Sequence, residues 1–361
     1  MAPGRGGRND PTVFAIPLFF GTMAAEAILQ HRRTKRLGAS PGSYERKDTV
    51  ASLTMGTLSI VAPLFLPKVL RPLTPGRGKL GLPLLGFTAV AAATTIVADR
   101  VARTTEYPKA TQVASVSGLV AAAGGLVATT TWWASKTSVE RLWAKRRFTI
   151  SNPLLQGLVA LVGWDFIYYL NHKMMHERRY MWAIHVVHHS SEHYNLSTAL
   201  RQPVLETFGT FVPYGALSYV GVSPTAVLAS RGVNLLYQYW IHTELVQSMG
   251  KAELVLNSPS AHRVHHGVNA QYLDKNHGGI FISFDRLFKT YEQEVEPVTY
   301  GLTKNIQSFN PATVALHEYR SLAKDVLSAT SWSERLGYVL KHPGWKPERQ
   351  KTQRMAVSTS K

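Results

Sequence analysis

The stretch of sequence that decides the fold of this chain begins at His172 and ends at His266. It contains His172-Lys-Met-Met-His176, then His185-Val-Val-His188-His189, then a single His242, and finally His262-Arg-Val-His265-His266. Ten of the fourteen histidines in the 361-residue chain lie within it. Histidines scattered over a surface or a core would not cluster in this way, so the clustering predicts a shared role.

The spacing within these histidine boxes indicates what the role is. Residues three or four apart lie on the same face of a helix, so each box can aim its imidazoles at one point. Neutral imidazole is a common ligand for iron, zinc, copper and nickel, and a closed zinc site takes about four ligands. Nine histidines are too many for one ion and suit two neighbouring ions. The predicted metal ligands are His172, His176, His185, His188, His189, His242, His262, His265 and His266.

The composition excludes several kinds of site and partner. Cysteine is absent, which excludes thiolate zinc sites, iron–sulfur clusters and disulfides. A net charge of +18 raises nucleic acid as a partner, but the basic residues lie between apolar runs and in the C-terminal tail. No nucleic-acid-binding motif accompanies them. Basic flanks around apolar segments fit an anionic membrane surface better, so we expect a membrane partner and no nucleic acid.

Long uncharged runs predict membrane helices in the first part of the chain. A membrane span needs about 20 apolar residues, and the alternative for each run is a buried core helix. The first run is long enough only if its helix continues through Glu26. The predicted membrane runs are 11–25, 49–67, 80–98 and 111–135.

Shorter apolar segments follow these runs. Residues 154–170 lead directly into His172, so one helix can leave the bilayer and present the first histidine pair. Residues 136–147 fit either an interfacial amphipathic helix or a solvated loop. Residues 203–219 and 225–241 are broken by charges and prolines and predict short helices. The basic loops do not all fit one side of strictly alternating spans, so the topology stays open.

These features together predict an all-α protein in which multi-pass membrane helices are capped by a helical, histidine-rich di-metal domain. The predicted divisions are a disordered N-terminus at 1–10, membrane helices at 11–135, the histidine domain at 136–300, a C-terminal helical segment at 301–345 and a basic disordered tail at 346–361.

The histidine boxes resemble those of the fatty acid hydroxylase/sterol desaturase superfamily. Longer strings are similar to its alkylglycerol monooxygenase branch, and these strings occupy residues 182–202, 237–244, 257–267 and 274–276. The resemblance is strong over roughly residues 150–292, whereas residues 11–135 match only in their pattern of membrane segments.

The resemblance implies an activity and its cofactors. Members of the superfamily are integral membrane, non-haem di-iron enzymes that oxidise lipid C–H bonds with O2. The resemblance therefore implies two Fe ions held by the nine histidines. It also implies an external reductant, either an electron-transfer protein or tetrahydrobiopterin. His193 and His277 stand where the branch has other residue types, so we expect neither to be a ligand.

Charged residues near the boxes are candidates for supporting roles. Ligand imidazoles usually donate their second N–H to a carboxylate or a carbonyl. Glu177 and Glu192 each lie within three residues of a predicted ligand and are the predicted catalytic carboxylates. Arg201 and Arg263 could position a lipid headgroup or pair with these candidate carboxylates, and the sequence leaves both alternatives open. The other candidate carboxylates are Asp165, Glu244, Asp274 and Asp285.

The sequence therefore predicts an O2-dependent oxidoreductase that acts on a membrane lipid. A di-zinc hydrolase would need a general base, and the boxes contain none. A metal transporter or store would place its ligands within the spans, whereas these boxes lie in polar sequence. We expect a multi-pass protein of the cell membrane, if bacterial, or of the endoplasmic reticulum, if eukaryotic, with the histidine site facing the cytoplasm. The lipid, and the choice between hydroxylation, desaturation and ether cleavage, stay open.

Overall fold

The computed structural model describes residues 11–105 and 107–350. Regular structure in this part of the chain is helical, apart from the isolated bridges Leu256–Phe281 and Gly267–Tyr300. The predicted all-α fold is confirmed. The predicted disordered residues 1–10 and 351–361 lie outside the described residues. Residues 346–350 are described, and Lys346 and Arg349 form ion pairs with Asp325 and Glu334.

The described helices are mostly long in the N-terminal part of the chain and, apart from Pro153–Glu177, shorter in the part that carries the histidine boxes. In chain order they are α1 Pro11–Phe14, α2 Ile16–Leu37, α3 Arg46–Leu73, α4 Gly81–Thr105, α5 Pro108–Lys136, α6 Val139–Ala144, α7 Pro153–Glu177, α8 Arg179–His189, α9 Gly215–Tyr219, α10 Pro224–Trp240, α11 Pro259–His265, α12 Ser283–Leu287, α13 Pro311–Ser328 and α14 Trp332–Leu340. Short 3-10 helices cover Thr198–Leu200, Glu206–Phe208 and Gly250–Leu254.

The chain divides into two compact units that interleave along the sequence. The first consists of Met1–Pro67, Lys136–Met174 and Ile184–Ala315, and the second of Lys68–Ser135, Met175–Ala183 and Leu316–Lys361. The functional division predicted from the sequence uses other bounds and stays a prediction.

Four of the described helices are long and apolar enough to cross a membrane, namely α3, α4, α5 and α7. Three of them contain predicted runs, and α7 contains the apolar run 154–170. The run at 11–25 instead lies in α1 and α2. As that expectation required, α2 continues through Glu26. It is nevertheless not one of the four membrane-capable helices, and Arg32, Arg33, Lys35 and Arg36 occupy its last turns.

Small residues allow α4 and α5 of the second unit to pack closely. Gly124 lies against Thr88, so near that a β-carbon at this position would overlap the threonine side chain. The Thr95 hydroxyl lies 2.8 Å from the Ser117 hydroxyl across the same contact. Small side chains and interhelical hydrogen bonds are typical of helix packing in lipid, where no hydrophobic effect drives association.

The position of α7 is fixed by an apolar core in the first unit. Ala160, Trp164 and Ile167 pack with residues of α9 and α10 and of the turn that joins them. The Trp164 ring stacks on Tyr214 with the ring centroids 4.5 Å apart. Burial of large apolar side chains contributes about 1.5–3 kcal/mol each, so this core holds the helix that presents the first histidine box.

Candidate metal centre

Four segments deliver the histidine boxes to one buried region. The first box lies on the last turns of α7, and the second lies on the C-terminal half of α8. His242 follows the C-cap of α10, and the third box lies on α11 and its C-cap residue His266. The helix α11 begins at a Ser258 N-cap followed by Pro259, and the serine hydroxyl accepts a hydrogen bond from Ala261 N–H at 3.1 Å.

The nine predicted ligands form two groups, and every member is buried. Within each group one ring nitrogen per residue lies within 4.8 Å of all the others. Group one consists of His172, His176, His185, His189 and His265. Group two consists of His188, His242, His262 and His266. The groups adjoin, since the rings of His189 and His266 stack with their centroids 4.4 Å apart.

Main-chain carbonyls determine which nitrogen of several imidazoles faces the group. The Nδ1 atoms of His172 and His265 lie 2.8 and 2.9 Å from the carbonyl oxygens of His277 and Lys275. A carbonyl only accepts, so Nδ1 carries the hydrogen and Nε2 presents its lone pair. Fixing the tautomer of a ligand histidine in this way is typical of metal sites.

Group two shows the same arrangement. His242 Nδ1 donates to the Gln238 carbonyl at 2.7 Å, and His188 Nδ1 donates to the Arg201 carbonyl at 3.3 Å. Burial lowers the pKa of His188 well below its usual value and lowers that of His242 to about 4. Burial also lowers the pKa values of His262 and His266. These imidazoles are therefore neutral at pH 7, which is the form that binds metals.

The residues of group two fit a metal ion. With both Nδ1 atoms protonated and both rings neutral, the Nε2 atoms of His188 and His242 present lone pairs to each other at 3.2 Å. Two lone pairs cannot form a hydrogen bond, and a cation bound by both removes their repulsion. His266 Nε2 is buried and has no hydrogen-bond partner among the described residues. Buried polar atoms rarely lack a hydrogen-bond partner, and a bound metal ion would account for the lack at His266 Nε2.

The other predicted site residues lie around the groups. Glu192 is exposed and Glu177 is half-buried, so their catalytic role stays a prediction. His193 and His277 lie outside both groups. His277 is nevertheless close, since its ring centroid is 5.7 Å from those of His172 and His265. Its main-chain oxygen is the acceptor for His172, a role that residue type does not reveal.

Both candidate arginines pair with carboxylates. The guanidinium of Arg201 is bound to Asp48, and that of Arg263 is bound to Glu294 at 2.7 Å. Both arginines are only 1% exposed. Neither partner was among the carboxylates singled out from the sequence, because both lie outside the boxes. Pairing was one of the two alternatives left open, but the observed partners are not the carboxylates that it named.

Known proteins resemble the part of the chain that holds this centre. Residues 157–290 match the family model of the fatty acid hydroxylases. The chain is 45% identical to human alkylglycerol monooxygenase over 188 residues. It is 39% identical to the Caenorhabditis elegans protein of that name over 201 residues, which are 53% of this chain and 40% of that relative. The predicted resemblance to the fatty acid hydroxylase/sterol desaturase superfamily, and to its alkylglycerol monooxygenase branch, is confirmed.

These matches cover part of each protein. The human match covers 52% of this chain and 42% of the relative, so the chain spans less than half the length of that relative. A more distant match is the ornithine lipid hydroxylase OlsE of Rhizobium tropici, 24% identical over 175 residues, which are 48% of this chain and 53% of the relative. No solved structure matches the chain. With four membrane-capable helices among its described residues, the chain is an integral membrane protein.

Proposed function

We propose that this chain is a non-haem di-iron oxygenase that uses O2 to oxidise a C–H bond of a membrane lipid. The observation that carries the proposal is the pair of adjoining groups of buried imidazoles on a chain with membrane-capable helices. Group one would hold one ion and group two the other. Iron bound there supplies redox chemistry with O2, which zinc does not.

The protein's own residues hold and orient the metal ligands. The carbonyls that accept the Nδ1 hydrogens keep each Nε2 aimed at its group. Burial keeps the imidazoles of group two unprotonated. The predicted roles of Glu177 and Glu192 as catalytic carboxylates remain part of the proposal.

The finer proposal is that the substrate is an alkylglycerol ether and the reductant is tetrahydrobiopterin. The support is the similarity to proteins named alkylglycerol monooxygenase. Insertion of one oxygen atom from O2 at the ether carbon, with two electrons and two protons reducing the other to water, yields a hemiacetal. The hemiacetal breaks its C–O bond to give a fatty aldehyde and glycerol. An electron-transfer protein is the alternative donor.

The direct test combines purified protein, an alkylglycerol, tetrahydrobiopterin and O2, with fatty aldehyde measured by mass spectrometry. Aldehyde formation that requires all four components supports the proposal. Oxidised sterols or acyl chains without aldehyde would overturn the substrate and keep the oxygenase. Metal analysis should find about two ions per chain, with iron among them. Protein that holds zinc alone and hydrolyses lipids without O2 would contradict the oxygenase itself.

We also propose that the metal centre faces the cytoplasm, the compartment that supplies iron and reductant. The chain has no cysteine, so a single introduced cysteine can be labelled without background. Gln247 and Ala270 are exposed and lie on segments flanking α11. Cysteines placed at these two positions should react only with a reagent that reaches the cytoplasmic face. Labelling from the opposite face would refute the orientation.

A further inference from the structure

We propose that Asp165 and Asp285 are positioning residues for the metal centre. They hold the loop formed by residues 274–281, here named the orienting loop, and the carbonyls of this loop orient His172 and His265. The inference rests on the proposed metal-binding function. It extends that function to two residues that act on His172 and His265 through the loop.

The orienting loop serves two ligands of group one that come from different helices. His172 lies on α7 and donates to the His277 carbonyl, and His265 lies on α11 and donates to the Lys275 carbonyl. These carbonyls are two residues apart on one segment. A shift of that segment would therefore change the direction in which both imidazoles point. Displaced ligand imidazoles lower metal affinity.

The conformation of the orienting loop is not set by regular secondary structure. Its residues belong to neither a helix nor a strand. Asp274 and Asn276 have φ angles of 57° and 56°, in the left-handed region that non-glycine residues seldom adopt. Backbone of this kind persists where surrounding contacts hold it. Such contacts must therefore fix the two carbonyls in place.

Two buried aspartates supply these contacts. Asp165 accepts hydrogen bonds from the N–H groups of Ile280 and Phe281 at 2.8 and 2.9 Å. Asp285 accepts from the N–H groups of His277 and Gly278, both at 2.7 Å. Both aspartates are 0% exposed. Bonds from N–H groups to a carboxylate are among the stronger hydrogen bonds, so the loop is bound on both sides of Gly279.

Glycine at position 279 permits this close approach. A β-carbon there would overlap a carboxylate oxygen of Asp165 and lie 2.9 Å from Asn234 Nδ2. Asn257 Nδ2 donates to the carbonyls of Gly278 and Gly279 at 2.7 and 3.2 Å. The polar groups at this end of the loop are thus bound by neighbours, while the His277 and Lys275 carbonyls serve the imidazoles.

Asp285 allows a test that separates positioning from general stability. In group two, the Nδ1 acceptors of His188 and His242 are the carbonyls of Arg201 and Gln238, which lie outside the orienting loop. Asp165 also binds Asn234, a residue of the helix that carries Gln238, so its loss would disturb both groups. Loss of an Asp285 contact should disturb group one alone.

The experiment measures the release of iron from the iron-loaded, full-length protein to a ferrous chelator. Asp285→Asn keeps the side-chain shape but replaces one carboxylate oxygen by an N–H donor. We expect one of the two ions to leave about ten- to a hundredfold faster than in wild type. The Mössbauer signal of that ion should change, and the signal of the other should stay. Asp325→Asn, which alters an aspartate bound to Arg179 and Lys346, should leave both unchanged.

The outcomes separate this inference from the proposed function. Wild-type protein that takes up no iron would overturn both. Wild-type protein that holds two ions, with unchanged release from Asp285→Asn, would overturn the inference alone, as would equal acceleration for both ions. If Asp285→Asn does not fold, Thr290→Val removes one hydrogen bond to Asp285, from the threonine hydroxyl at 2.7 Å. It should accelerate release of the same ion by a smaller factor, and unchanged release would again refute the inference.

Discussion

Arg201 contributes both to the stability of the fold, through its guanidinium, and to the metal centre, through its main-chain carbonyl. Its guanidinium donates to the hydroxyls of Ser52 and Ser190 at 3.1 and 3.0 Å, and to the main-chain oxygen and carboxylate of Asp48. The Asp48 carboxylate also accepts from Ser191 at 2.7 Å and is 2% exposed. Arg201→Met would leave this carboxylate buried without its cation. Breaking a buried ion pair in this way costs about 3–5 kcal/mol.

The matched double variant tests whether the cost comes from the unpaired charge. Asp48→Leu combined with Arg201→Met removes both charges, and replacing a whole buried pair by apolar groups is often nearly neutral. We therefore expect the double variant to lose less stability than Arg201→Met alone. The control is Lys346→Met, which breaks the partly exposed pair with Asp325 and should cost less than about 1 kcal/mol.

The assay is equilibrium unfolding in mixed micelles, followed by helical circular dichroism, for metal-free protein. Metal content is measured in parallel, because the Arg201 carbonyl accepts the Nδ1 hydrogen of His188. We expect Arg201→Met to lower occupancy at group two as well as stability. A loss of less than about 1 kcal/mol for Arg201→Met, or simple additivity in the double variant, would refute the reasoning.

Three further predictions concern single residues. His265→Ala should abolish turnover and lower the iron content, whereas His193→Ala should keep substantial activity. Equal losses of activity would contradict the assignment of His265 as a metal ligand and of His193 as a non-ligand. The pKa of His242 is lowered by burial to about 4, so the unfolded chain takes up its proton first as the pH falls. The free energy of unfolding of metal-free protein should therefore drop between about pH 6.5 and 4, by roughly 1.4 kcal/mol per pH unit for this group, and a flat titration would count against it. Gly118→Ala should destabilise the folded protein by about 1–3 kcal/mol, because a β-carbon there would overlap the buried Arg335 side chain. An unchanged melting temperature would contradict this, since it would mean that the Arg335 side chain moves aside without cost.

Local patterns in the sequence predicted the helices and the histidine groups. His172 and His176 lie on α7 and the second box lies on α8, as their spacing required. The long runs beginning near residues 49, 80 and 111 lie in membrane-capable helices because length and apolarity are properties of the run itself. Both signals depend only on neighbours along the chain, so no tertiary information was needed.

Contacts between distant residues could not be predicted in this way. Arg201 and Asp48 are 153 positions apart, and nothing in the local sequence of either identifies the other. The local sequence likewise does not identify the partners of Glu26, which interrupts the apolar run at the N-terminal end of the chain. It is buried and accepts hydrogen bonds from Tyr44 at 2.6 Å and from the Leu196 N–H at 2.8 Å. A charge in an apolar run therefore marked a tertiary contact.

The acceptors of the imidazole hydrogens could not be predicted from the sequence for a different reason. Sequence analysis weighed carboxylates because their side chains are visible in the sequence. The acceptors described above are main-chain carbonyls, for example those of Lys275 and His277. Every residue has a carbonyl, so residue type carries no signal for this role. The aspartates that hold those carbonyls in place, Asp165 and Asp285, were candidates only by their nearness to the boxes.

The placement of the histidines on α7 bears on which lipid carbon can react. Leu154, Leu158 and Val162 on this helix are exposed apolar side chains, suited to contact with hydrocarbon. His172 lies ten residues beyond Val162, which is about 15 Å along a helix. The metal centre would thus lie beyond the end of the hydrocarbon-facing surface. A carbon next to a polar headgroup, such as the ether carbon of an alkylglycerol, would reach it with its chain still in the bilayer. A mid-chain carbon would have to leave the hydrocarbon, and that costs about 0.8 kcal/mol for each CH2 group exposed to water. Products oxidised at the headgroup end are therefore expected, and products oxidised mainly at mid-chain would contradict this argument.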